Sequence, residues 1–195
     1  MWDWTKNRRQ SPSSSTAPRQ PTSLLRAYED LRRRHKPLET RWQDGENIPH
    51  PEEMQALLQQ KIAEYRLKDI TLRLRDYTPQ TWPEMERSFE EYIKARAVFL
   101  KRLAYEETEA CLSLGLDNMA IHQLKQGYAP ENFNTHLKIP FDFGGSLEPD
   151  NFSLVKTHPV HARLHHLFDL QIESGFLKNR YLIYIPWFEG KIYHD

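Results

Sequence analysis

One feature constrains this chain more than any other: its periodicity switches at Gly127. From Thr22 to Gln126 the apolar residues recur at intervals of three and four, the signature of amphipathic helices. Thr22 or Ser23 is placed to cap a first helix that runs to about Lys36, with Leu24, Leu25, Tyr28 and Leu31 as its stripe. Pro37, Gly45, Pro49 and Pro51 interrupt the pattern, and a second helix is expected from Pro51 to Asp76 on Met54, Leu57, Leu58, Ile62 and Tyr65. Thr81-Trp82-Pro83-Glu84 reads as a capping box. The helix it opens, lined by Phe89, Tyr92, Ile93, Leu100 and Leu103, is expected to reach Leu114, with Gly115 as its stop. Asp117 then caps a short helix that ends at Gly127.

Beyond Gly127, Pro, Gly and Asn separate short β-type runs. Leu137–Phe143 reads as a strand entering a Gly144-Gly145 turn, and Phe152–Lys156 as a returning strand. A helix is expected from His158 or Pro159 to about Ser174, where Gly175 ends it. Tyr181–Pro186 and Lys191–Tyr193 suggest a terminal β-hairpin. The expected class is α+β, divided into a basic, disordered tail over 1–21, a helical region over 22–126 and a small C-terminal unit over 127–195.

Composition removes several function classes. The 27 Lys and Arg balance 27 Asp and Glu, so no net positive field is available for binding nucleic acid by bulk charge. The balance is uneven along the chain: residues 1–36 carry nine basic and three acidic residues, while 127–195 carry six and eight. A single cysteine, Cys111, excludes an internal disulfide framework and any multi-cysteine zinc site. No apolar run is long enough for a membrane span, and MWDWTKNRRQ lacks the apolar core of a secretory signal. The expected location is therefore cytoplasmic, or external by a route that uses no classical signal. Neither a Gly-rich phosphate loop nor a Gly-x-Ser-x-Gly elbow is present.

Histidine carries the chemical signal. Five of the nine histidines lie between His136 and His166, within THLKIPFDFGGSLEPDNFSLVKTHPVHARLHH. On a helix His161 and His165 project from one face, His158 lies near that face at the helix start, and His166 is turned by about 100° from His165. The same i, i+4 pair also fits an ordinary helix face beside Val160, Leu164 and Phe168. Asp150-Asn151 equally suits a plain turn. Arg163 and Lys156 are basic residues nearby but form no patch.

The order His136, Pro140, Gly144-Gly145, Asn151-Phe152, His161 and His165 resembles the HNH, or ββα-metal, nuclease motif, in the version found in colicin-type DNases and related bacterial toxin domains. The resemblance implies a metal-dependent endonuclease that hydrolyses DNA phosphodiester bonds, in a toxin, an effector, or a phage or mobile-element enzyme. It implies His136 as general base and Asn151 as the residue orienting that imidazole or its loop. It further implies one divalent ion (Mg, Zn or Ni) on His161 and His165, a pair that needs His158, Asp142, Asp150 or water to complete the shell. The partners implied are DNA and a cognate immunity or docking protein reached through the helical region, with no membrane. The pattern departs from the family at Thr135, where relatives carry a further ligand. An HNH-like scaffold that has lost catalysis and acts as a protein-interaction module is the alternative reading.

Overall fold

The computed structural model describes residues 48–78, 82–178 and 181–194. The expected basic tail over 1–21, the helix from Thr22 or Ser23 to Lys36 and the cap at Thr81 lie outside them. The described residues all belong to one compact unit, His35–Asp195. It is an α+β arrangement of five helices and two small antiparallel sheets.

Helix α1 spans Pro51–Glu64. Pro51 occupies its first turn, and the Glu53 carboxylate accepts from the His50 backbone N–H at 2.7 Å. The helix expected through Asp76 stops here: Tyr65 is the C-cap, and Arg66 and Asp69 take left-handed backbone angles. Strand β1 follows over Thr71–Asp76. Its sequence TLRLRD has period two, so as a helix it would scatter Leu72 and Leu74 over different faces. As a strand it forms a ladder with β4, Leu182–Trp187, with Thr71 opposite Trp187 and Asp76 opposite Leu182.

Helix α2 spans Trp82–Glu106. The helix expected to run on to Leu114 breaks at Glu107, whose backbone leaves helical geometry, and a separate α3 covers Thr108–Ser113. Asp117 caps α4, Asn118–Lys125, by accepting from the Ala120 N–H at 2.8 Å. Strand β2, Phe133–Leu137, begins four residues before the expected start and ends before Pro140. A 3₁₀ turn over Phe141–Phe143 replaces its expected end. Gly144 then takes φ +73°, and a Cβ on Gly145 would lie 1.8 Å from the Ile139 carbonyl oxygen, so the turn closes around that position only with glycine.

Strand β3, Phe152–Lys156, pairs antiparallel with β2, placing His136 opposite Ser153 and Thr135 opposite Leu154. A turn of π-helix over Thr157–His161 leads into α5, Ala162–Glu173, which ends at Ser174 and Gly175. The expected terminal hairpin does not form. β4 pairs with β1, and the chain after Gly190 turns back so that Ile192 makes a parallel bridge to Leu154. The Leu154 N–H donates to the Lys191 carbonyl at 2.8 Å, and the Tyr193 N–H donates to the Leu154 carbonyl at 3.0 Å. Both partners were distant in sequence, which short-range pairing signals do not reach.

The β2–β3 ribbon separates two hydrophobic cores. Phe152 and Leu154 join Phe99, Leu100, Leu103, Cys111 and Leu124 of α2, α3 and α4 on one side. Val155 joins Met54 and Leu58 of α1, Leu164 and Leu167 of α5, and Ile183 of β4 on the other. Each fully buried side chain of this kind contributes about 1.5–3 kcal/mol of transfer free energy. Both cores draw residues from either side of Gly127, so the switch in periodicity there is a change of secondary structure and not a seam in the packing.

Candidate metal centre

Two neighbours on β2 set up the site. Side chains alternate along a strand, so Thr135 faces α2 and His136 faces the opposite side, toward α5. The Thr135 hydroxyl accepts from Arg96 Nε at 2.7 Å and lies 3.3 Å from the Tyr92 hydroxyl. His136 is 1 % exposed, and neither Nδ1 nor Nε2 has a hydrogen-bond partner. A buried polar group left in that condition costs about 1–3 kcal/mol.

What His136 meets is a pair of histidines from the start of α5. Its ring stands edge-on to His161 at 5.5 Å and to His165 at 5.4 Å between centroids. The i, i+4 spacing brings His161 Nε2 and His165 Nε2 to 3.2 Å. One ligand nitrogen from each of the three rings lies within 4.8 Å of the others. Burial holds His136 well below the ordinary histidine range, and the neighbouring His165, His161 and Lys138 add to the effect. Burial also lowers His161, to about 4, with His165 and His158 contributing. Both rings are therefore neutral near pH 7 and offer lone pairs, which is the ligand form of imidazole.

The orphaned nitrogens of His136 test whether a metal fits. Coordination satisfies a buried imidazole nitrogen that no protein group reaches, and three convergent histidines are enough to hold an ion. Three protein ligands with a further position open is the arrangement of catalytic rather than structural zinc. An all-imidazole set suits Zn, Ni or Cu and is poor for Mg, which prefers oxygen donors in an octahedron.

The other expected site residues are placed differently. His136, expected as the base, lies buried among the three histidines that could hold a metal ion. His158 was expected to complete the shell. It is exposed and outside the triad, and its backbone is extended (φ −128°, ψ 136°) within the turn that precedes α5. Asn151, 5 % exposed, holds the loop after β2 and makes no bond to His136. Its Oδ1 accepts from the Ile139 N–H at 2.9 Å, and its Nδ2 donates to the carbonyls of Ile139 at 2.9 Å and Ser146 at 2.8 Å. Its own carbonyl accepts from the Lys138 N–H at 2.9 Å. His166 points away from the triad, as its rotation on the helix predicts, and bonds the Tyr65 hydroxyl through Nδ1. Arg163 is engaged with Tyr65, donating to its carbonyl at 2.9 Å and lying over its ring.

Lys138 was missed by sequence reasoning. It is 4 % exposed, with its ammonium 4.7 Å from the centroid of the Trp187 ring and 5.4 Å from that of Phe188. Burial lowers its pKa, against the opposing pull of Glu189 and Asp150. The signal available was its spacing of two from His136, which favours a common side of an extended chain. Among the described residues no helix is long and apolar enough to cross a membrane. No protein-family model matches the chain, and neither a curated protein nor a solved structure does.

Proposed function

We propose that this protein is a metal-dependent phosphodiesterase of the HNH type that cleaves DNA, with His136, His161 and His165 holding one divalent ion. The observation that carries the reading is the convergence of three histidines, one of them buried with both nitrogens unpartnered. The chain order supports it: β2 and β3 form an antiparallel ribbon and α5 follows, so one candidate ligand comes from a strand and two from the helix start. A divalent ion bound there supplies Lewis-acid stabilisation of charge on a phosphate and lowers the pKa of water. His136 fixes one ligand on the rigid ribbon, and His161 and His165 bring the other two from a single helix face. Asn151 holds the loop that leaves β2 and so preserves the position of His136.

One observation favours the alternative, a scaffold that binds metal without cleaving. With His136 in the ligand set, the triad contains no second imidazole to serve as base. Incubating the purified chain with supercoiled plasmid and Zn, Ni, Mn or Mg in turn, beside EDTA and a His161→Ala control, separates the two. Metal-dependent nicking lost in the variant is the expected result. A folded protein that binds metal in calorimetry and leaves every plasmid intact would point to the scaffold. Failure to bind any of these metals would defeat both.

A further inference from the structure

Lys138 is buried with its ammonium against aromatic rings, and Glu189 and Asp150 act on it only through their charge. The residue is 4 % exposed, yet among the described residues its ammonium has no ion pair or hydrogen bond, and its contacts are the faces of Trp187 and Phe188. The aromatic wall is itself fixed. Arg73 lies over the Trp187 ring at 4.2 Å, and Glu189 Oε1 accepts from both Trp187 Nε1 at 2.8 Å and Arg73 Nη2 at 2.7 Å. Glu189 Oε1 thus makes its hydrogen bonds to Arg73 and Trp187, and the carboxylate acts on Lys138 through charge alone. The lysine also adjoins the histidine triad. The Phe188 ring that it touches stacks on His136 at 6.4 Å. The Lys138 backbone is clamped by the Asn151 carbonyl two residues after His136.

A cation held in place, left unpaired and set beside a candidate metal centre has the character of an anion receptor. Arg163, at the start of α5, provides no equivalent, since it is engaged with Tyr65. From this arrangement we infer that Lys138 receives an anionic oxygen of a phosphate group bound at the histidine site, acting as a substrate-positioning residue. This rests on the metal-dependent reading above. Its burial against Trp187 and Phe188 restricts the side chain, so less rotamer freedom remains to be lost when the anion arrives.

The test is a titration of the zinc-loaded full chain with inorganic phosphate, followed by calorimetry and by ³¹P NMR, for wild type, K138M and K138R. K138M retains the length and packing of the stem and removes the charge. The expected result is a loss of phosphate affinity of about tenfold or more in K138M, since one charge-assisted hydrogen bond is removed. K138R should stay within a few-fold of wild type, and zinc affinity should be retained in both variants. A purely structural lysine would leave the phosphate titrations of K138M and wild type superimposed, and that result overturns the inference, as does absence of phosphate binding to wild type. If wild type binds no zinc, the metal reading fails on its own. The same phosphate titration without metal then decides Lys138, with loss in K138M supporting the role and equality removing it. Should K138M not fold, K138Q takes its place in the same comparison.

Discussion

Thr135 and His136 are adjacent on one strand and almost equally buried, at 5 % and 1 % exposure, yet their surroundings are opposite. Thr135 looks toward α2, where Arg96 and Tyr92 meet its hydroxyl. His136 looks toward α5, where its ring lies against two other imidazoles and the Phe188 ring, and its nitrogens are left without partners. On one face the polar group completes a structural network. On the other the fold keeps a polar group unsatisfied, at a cost in stability, beside two more groups of the same ligand chemistry. Buried polar residues are normally paired, so the contrast separates a residue whose polar group is satisfied by the fold from one whose nitrogens are not. It also gives Thr135 a structural role.

The sharpest way to break this contrast is His136→Ala. Removing one of three ligands should weaken zinc binding by more than about 100-fold, beyond the loss typical of a supporting residue. An unchanged calorimetric titration would show that His136 is no ligand. Asn151→Ala comes next. It removes three side-chain hydrogen bonds around the loop after β2 and should destabilise the protein by about 2 kcal/mol in urea unfolding. Plasmid nicking should fall with it only as far as the loop loosens. Thr135→Val should cost about 1 kcal/mol, because Arg96 loses its acceptor, while zinc affinity stays at the wild-type value. A marked loss of metal binding in that variant would erase the distinction between the two faces.

A pH dependence of the metal-free protein tests the same contrast without a ligand. His161 is lowered from 6.5 to about 4 in the fold, so the unfolded chain takes up a proton there first. Stability from this group is complete above pH 6.5, declines as the pH falls from 6.5 to about 4, and levels off below that. His136, also lowered, acts in the same direction. Urea midpoints between pH 7 and pH 4 should therefore drop less steeply in His161→Ala than in wild type. Parallel curves would mean that His161 is not held neutral by the fold.

Local signals carried a definite part of the result. Period three and four located α1 and α2, Asp117 marked the start of α4, the run Phe152–Lys156 marked β3, and Gly175 followed the end of α5. The i, i+4 relation of His161 and His165 was likewise legible, because helix geometry fixes it within one turn. Other features were not local. β1 read as a helix tail because its partner, β4, lies more than a hundred residues away, and the terminal hairpin was drawn between neighbours that pair elsewhere.

The same division governs the site. Residue types and spacings alone determined that histidines gather between 136 and 166, that two of them share a helix face and that a glycine turn separates two strands. Only the tertiary structure decided what each histidine does. Which face of β2 meets α5 placed His136 inside the triad. His158, with an extended backbone, lies outside it, and the packing of Phe188 and Trp187 brought Lys138 alongside. The physical reason is that spacing along a chain fixes direction within one element, whereas a ligand set needs groups from several elements at one point. Packing between elements alone sets those distances.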